Sequence, residues 1–244
     1  VDPAQAPRNY EARFRDRQGN VRDVYLTVAV IPGTKQSVAS FLDITERKRA
    51  EEALLRKLRL EEAVASISAR FLQADDFDRA VNESLAEMGR LSNADRAYLF
   101  LFREKGTVMD NTHEWCAPGV SPQRENLQNL PGEAFPWWVA RLRQKEVIHI
   151  ADVSALPPEA AAEKEILKAQ DIKSLLVLPV FAGGDLAGFL GFDNVRHAGS
   201  WREEDLLLLR LAADVFGWAL ERKQAYERLL ELAQENARLF AEAG

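Results

Sequence analysis

The side chains with the most chemistry to offer are one cysteine, three histidines and five tryptophans, and several fall together in Thr112-His113-Glu114-Trp115-Cys116-Ala117-Pro118. A thiol is a nucleophile and a soft metal ligand when its surroundings favour the thiolate. Nothing in this heptapeptide lowers the pKa of Cys116, so the plainer reading is a small apolar side chain where a strand gives way to a loop. His113, on an alternating strand, is read as a hydrogen-bonding residue before a ligand. The rings of Trp115, Phe135, Trp137 and Trp138 could wall a pocket for a planar ligand. The plainer alternative is that Phe135 and one tryptophan seal a short helix against a sheet. Tyr98 and Phe100 are core residues first, as are Leu178 and Phe192. The pocket candidates are therefore Tyr98, Phe100, Trp115, Cys116, Trp137 and Trp138. No Gly-rich phosphate loop, metal-ligand spacing or nucleophile elbow occurs, so no catalytic or metal residue is assigned.

A hairpin must position these groups. Ser174–Val195 reads SLLVLPVFAGGDLAGFLGFDNV, two apolar runs joined by Gly183-Gly184-Asp185, residues that accept the positive φ of a tight turn. Both runs are nearly continuous in apolar character, which predicts a hairpin covered on both faces in mid-sheet. Strands are predicted over Arg96–Arg103 and Val108–Cys116, a long loop over 117–132, a short helix over Glu133–Gln144, a strand over Glu146–Val153 and a helix from Pro157 to about Gln170. Asp75 and Asp76 cap a helix reaching Leu91, with Phe77, Ala80, Val81, Leu85 and Met88 on one face. Ser200 and Glu203 have capping-box spacing, so a last helix is expected from Trp201. In it Leu206, Leu209, Ala213, Phe216 and Leu220 keep a three-four spacing, resumed after a one-residue shift by Tyr226, Leu230, Ala233, Ala237 and Phe240. Such a helix spans roughly 65 Å, beyond one domain face. Pairing with the same helix of a second chain is expected.

Three strand-like runs come first: Tyr10–Arg17, Val21–Ile31 and Gln36–Asp43, separated by Gln18-Gly19-Asn20 and Pro32-Gly33-Thr34-Lys35. Val24, Leu26, Val28 and Val30 alternate with more polar residues, predicting one buried face that a neighbouring helix or partner chain must cover. Asp43 or Thr45 can cap the following helix, with Glu46 placed for a capping box with Asp43. The stretch FLDITERKRAEEAL resembles the end of a PAS sensory domain leading into a signalling helix; only the last three strands are matched, so no PAS ligand site is assigned. Along that helix Leu54 and Leu58 lie on a narrow apolar stripe whose phase slips between Leu58 and Leu60, as in a parallel coiled coil.

The segments RAYLFLF, EVIHIADV, SLLVLPVFAGGDLAGFLGFDNV and SWREEDLLLLRLAADVFGWALER, in this order, resemble a GAF domain over roughly residues 60–222. The resemblance implies an α+β fold: an antiparallel sheet with a ligand pocket on one face and the terminal helices on the other. The divisions expected are 1–45 (truncated PAS strands), 46–72 (signalling helix), 73–222 (GAF domain) and 223–244 (coiled-coil extension). Some GAF sensors carry a bilin on a thioether or hold haem, which by resemblance would make Cys116 the anchor, or His113, His149 or His197 an iron ligand. The GAF-type reductases of free methionine sulfoxide need partner cysteines that are lacking here. Asn194 with Glu203-Glu204 only loosely echoes cyclic-nucleotide-binding GAF domains; Glu203 is read as a helix cap. The Gly-Gly-Asp turn runs on into Leu-Ala, unlike the diguanylate cyclase signature Gly-Gly-Asp-Glu-Phe, and neither a phospho-accepting histidine motif nor kinase ATP-binding boxes occur.

Of the 244 residues, 47% are hydrophobic and 29% charged, with a net charge of −6, which excludes the basic stripe of a nucleic-acid binder. No run approaches membrane-spanning length, and a single cysteine fits a reducing, cytoplasmic setting. The expectation is a regulatory sensor module of a two-component type of system: a parallel homodimer with an unknown small-molecule ligand, passing a signal through Asp43, Thr45, Leu54, Leu58, Phe216 and Leu220 to an output kinase or cyclase outside this chain. The alternatives are a haem- or bilin-binding receptor using Cys116 and a purely structural dimerisation spacer.

Overall fold

Asp16 ends the first strand by folding its carboxylate over the chain, accepting from Gln18 N (2.9 Å) and Asn20 N (2.8 Å) while Gly19 takes φ +87°. The computed structural model describes residues 9–34, 36–73 and 76–242, in two units, Val1–Leu58 and Arg59–Gly244. Residues 1–8, Lys35 of the second expected turn and Asp75 of the expected helix cap lie outside the described residues.

In the first unit β1 (Asn9–Arg15), β2 (Val21–Val30) and β3 (Ser37–Asp43) form an antiparallel sheet in the order β1-β2-β3. The register sets Leu26 between Tyr10 and Phe41, and Val24 between Ala12 and Asp43, so these residues share one face. The expected burial of that face holds at Val24 and fades along the strand: Val30 is 62% and Phe41 65% exposed. Helix α1 (Thr45–Gln73) is tied instead to Glu11 and Asp23 on the opposite face, where Lys48 pairs with both and Arg47 reaches Glu11 at 3.5 Å. Asp43 accepts from Thr45 N (2.9 Å), and the buried Thr45 hydroxyl accepts from Asp23 N (2.9 Å). The expected capping box does not form. Asp43 is engaged two residues on rather than three, an Asx-type turn, and the exposed Glu46 pairs with Arg49 at 3.1 Å. Leu54 and Leu58 are exposed, and the two units divide at the phase slip after Leu58.

In the second unit Ile67 and Phe71 of α1 are buried beside α2 (Phe77–Leu91), which Asp76 caps by accepting from Arg79 N (3.1 Å). There follow β4 (Arg96–Arg103), β5 (Val108–Cys116), β6 (Leu130–Pro131), α3 (Pro136–Arg143), β7 (Ile148–Ile150), α4 (Ala161–Ala169), β8 (Ser174–Ala182), β9 (Asp185–Asn194) and α5 (Glu203–Glu242). The sheet is antiparallel throughout, ordered β6-β5-β4-β9-β8-β7, so the β8–β9 hairpin is central as its apolar runs predict. Alternation divides its side chains between two cores. Leu176, Leu178, Leu190 and Phe192 meet α2 and α5; Leu175, Val177 and Phe189 meet α3 and the loops around it.

Three expectations are corrected. The strand expected over Glu146–Val153 shrinks to β7, because Asp152 turns the chain by accepting from Ser154 N (2.8 Å). The expected helices around α3 and α4 start later, each preceded by a single 3-10 turn. Helix α5 starts at Glu203 rather than Trp201, with Leu206 N bonded to Arg202 O (3.0 Å). Trp201 is buried in the helix-side core, and its backbone N–H donates to His149 Nε2 (3.3 Å); burying that ring outweighs a cap by Ser200. Farther along, Phe216 and Leu220 are buried against the sheet, whereas Tyr226 and Leu230 are exposed; the side chain of Phe240 lies outside the described residues. Among the described residues no helix is long and apolar enough to cross a membrane.

Candidate functional site

On the sheet face away from α5, the chain between β5 and β8 folds back over β4 and β9 and encloses a cavity of about 50 Å³. Aromatic rings make most of its wall. Phe100 stacks on Phe189 with centroids 4.7 Å apart, and Tyr98 and Trp138 meet these two edge-on at 5.6 and 6.0 Å. The ring of Tyr98 lies where Gly191 has no side chain: a Cβ there would sit 1.9 Å from it.

The polar part of the wall is charged and buried. Antiparallel register sets Arg96 opposite Asp193, and their side chains pair at 2.9 Å with 2% and 1% exposure. Burial pushes the Asp193 carboxyl up to about 6 against the pull of Arg96. Burial alone would lower Arg96, but the charge and hydrogen bond of Asp193 raise it. Tyr98 is raised well above its ordinary value, by burial and then by Asp193. Glu114 also faces the cavity and holds the loop after β5 by accepting from Gln123 N (2.8 Å) and Arg124 N (2.9 Å). Glu163 of α4 is 1% exposed; its Oε1 accepts from Trp137 N (3.0 Å) and Trp138 N (3.2 Å) at the start of α3. Among the described residues its Oε2 has no hydrogen-bond partner, nor has Trp138 Nε1.

Of the sequence candidates, Tyr98, Phe100 and Trp138 line the cavity. Trp137 packs at the rim of the same core under the Arg141 guanidinium, 4.5 Å from its centroid. Trp115 lies on the other face, against Gly89 of α2, where a Cβ would be 2.3 Å from the indole. Cys116 stands opposite Arg96 at the strand end but is not part of the wall. Burial, then Glu114, pushes its thiol up to about 11. His113 is on the helix side, 3.3 Å from Asp78; burial lowers its pKa and Asp78 opposes that. His149 accepts from Trp201 N, and burial lowers its pKa. His197 is exposed. Among the described residues no histidine lines the cavity, and no group of three or more His, Cys, Asp or Glu could hold a metal ion. Asn194 accepts from Asp95 N (3.2 Å) and donates to Ser174 Oγ (3.3 Å), closing the end of the sheet.

Sequence reading missed Arg96, Glu114, Glu163 and Asp193. Its available signal was charge at the ends of otherwise apolar runs, RAYLFLF and FLGFDN.

A family model for the GAF domain matches residues 76–220. Among curated proteins the methanogenesis regulatory histidine kinase FilI of Methanothrix harundinacea (strain 6Ac) is 32% identical over 200 residues, 79% of this chain; those residues span 22% of that protein. Among solved structures, the phycocyanobilin-bound GAF domain of a cyanobacterial phytochrome superposes with a TM-score of 0.61 at 21% identity, covering 68% of this chain and 96% of that one. The blue-light absorbing form of the Thermosynechococcus elongatus PixJ GAF domain gives 0.54 at 21% identity, covering 66% and 98%. At these identities the structural likeness carries the fold alone.

Proposed function

This chain belongs to the GAF domain family, and on that premise we propose that it is a regulatory sensor module, not a catalyst: occupancy of the cavity changes the seat of α5 and, through paired helices, an output domain beyond this chain. One observation carries the reading. The cavity lies on one face of β4 and β9 and α5 on the other face of β8 and β9, so β9 is shared, with Phe189 and Asp193 at the cavity and Leu190 and Phe192 in the core with α5. A wall displaced around Phe189 is transmitted through packed neighbours to Leu190 and Phe192, and so to Phe216, because protein interiors are close-packed. The resemblance to a regulatory histidine kinase supports the same direction. Asp43, Thr45, Leu54 and Leu58 would serve as the input side of that relay.

Filling the cavity stands in for a ligand. Ile166 lines it, and Ile166→Phe is expected to change amide hydrogen exchange in β8 and over residues 203–222. Unchanged exchange there in a folded variant would support the dimerisation spacer instead.

The bilin alternative draws support from the likeness to a phycocyanobilin-bound domain. It asks for more change in this chain, since drug-sized ligands occupy roughly 300–1,000 Å³ and the thiol of Cys116 is held protonated off the wall. A visible absorbance band after incubation with a bilin, lost in Cys116→Ala, would establish it.

A further inference from the structure

Two atoms leave the cavity chemically unfinished. Among the described residues Glu163 Oε2 is an acceptor without a donor, and Trp138 Nε1 is a donor without an acceptor; both residues are buried and both line the cavity. Buried polar groups are normally paired, by protein, water or ligand. Arg96 does not reach Glu163 Oε2: its Nε donates to Asp193 and its Nη2 to Gln170 O at 3.5 Å. The charge inventory of the wall has the same sign: the carboxylates of Glu114, Glu163 and Asp193 face one cation, Arg96. Around them stand the rings of Tyr98, Phe100, Trp138 and Phe189, and the face of an aromatic ring attracts a positive charge. A phosphate or carboxylate ligand would instead face surplus carboxylates in a buried site.

We propose that this cavity binds a small protonated amine that also carries a hydroxyl or ether oxygen, the ammonium donating to Glu163 Oε2 and the oxygen accepting from Trp138 Nε1. This deepens the sensor reading and rests on it. The size follows from the space: about 50 Å³ takes roughly four waters, or a molecule of about four to six non-hydrogen atoms. Ethanolamine has that size and both groups. Ordered water alone, bonded to both atoms, is the competing occupant.

The test titrates the 244-residue chain with ethanolamine, and in parallel with 1-propanol and propionate, neutral and anionic molecules of similar size. Binding is read from the tryptophan indole N–H resonances, Trp138 being assigned by its loss in Trp138→Phe. Ethanolamine is expected to shift the Trp138 resonance saturably, with the other two probes inert. Glu163→Gln, whose amide oxygen can still cap α3, is expected to weaken binding at least tenfold. Should Glu163→Gln fail to fold, Trp138→Phe removes the indole donor while keeping an aromatic ring, and is expected to weaken ethanolamine binding, read by calorimetry. Equal response to 1-propanol, or unaltered affinity in Glu163→Gln, overturns the amine. Binding of none of the probes also overturns it. If Ile166→Phe still alters exchange in α5, the sensor reading survives that failure; if it does not, both fall.

Discussion

Cys116 shows how a strand end can present a thiol without making it reactive. Half-buried beside Glu114, it titrates near 11 instead of 9.0, so its thiolate fraction at neutral pH falls about a hundredfold. Alkylation by iodoacetamide at pH 7.5 is expected to run about that much slower than for an unperturbed cysteine, and Glu114→Gln is expected to speed it up. A rate at the free-cysteine level would contradict the assignment. Asp193 is the complementary case, a carboxyl whose burial outweighs its partner. Because its folded pKa is raised, from 3.8 to about 6, the folded state holds the proton more tightly, and this group's contribution to stability is complete at acid pH and lost as pH rises through about 6. The Asp193 carboxyl carbon is expected to titrate near 6 by NMR, and Asp193→Asn to remove that part of the pH slope of urea unfolding. A midpoint at or below 3.8 would reverse the sign. At this scale the sequence was half legible. Tyr98, Phe100 and Trp138 are recognisable as aromatic and strand- or helix-borne, but the pairing of Arg96 with Asp193, 97 positions apart, depends on strand register, and Glu163 becomes a cap only when α4 docks beside α3.

Elements were more legible where burial alone decides them. The runs flanking Gly183-Gly184 are apolar on both faces because both faces are covered, and period and turn chemistry suffice to find them. Local signals failed where a large ring competed: Ser200 offers a helix cap, yet Trp201 is buried and α5 begins at Glu203. The junction of α5 with the sheet depends on Gly217, where a Cβ would fall 2.1 Å from the Phe181 carbonyl oxygen. That neighbour is backbone and cannot swing aside. Gly217→Ala is therefore expected to push α5 off β8 and destabilise the second unit by roughly 1–3 kcal/mol in urea unfolding. A neutral substitution would mean that α5 does not seat on β8 as closely as described.

For the whole molecule, α5 is the element that one chain leaves unfinished. Its 40 residues run about 60 Å; one face of the first half is buried on the sheet, with Leu209, Ala213 and Phe216, while Tyr226, Leu229, Leu230, Leu232 and Leu239 are exposed. Exposure of the stripe begins where the three-four spacing shifts between Leu220 and Tyr226, a shift the sequence does show. A second copy of the chain, aligned in parallel, would bury that stripe. The central claim, a cavity coupled to paired exit helices, is tested most directly by the distance between spin labels at Ala237→Cys in the two chains of a Cys116→Ala background, measured by double electron–electron resonance with and without Ile166→Phe. The account predicts one short interchain distance that shifts when the cavity is filled. The absence of any interchain distance, or one identical in both forms, would contradict it.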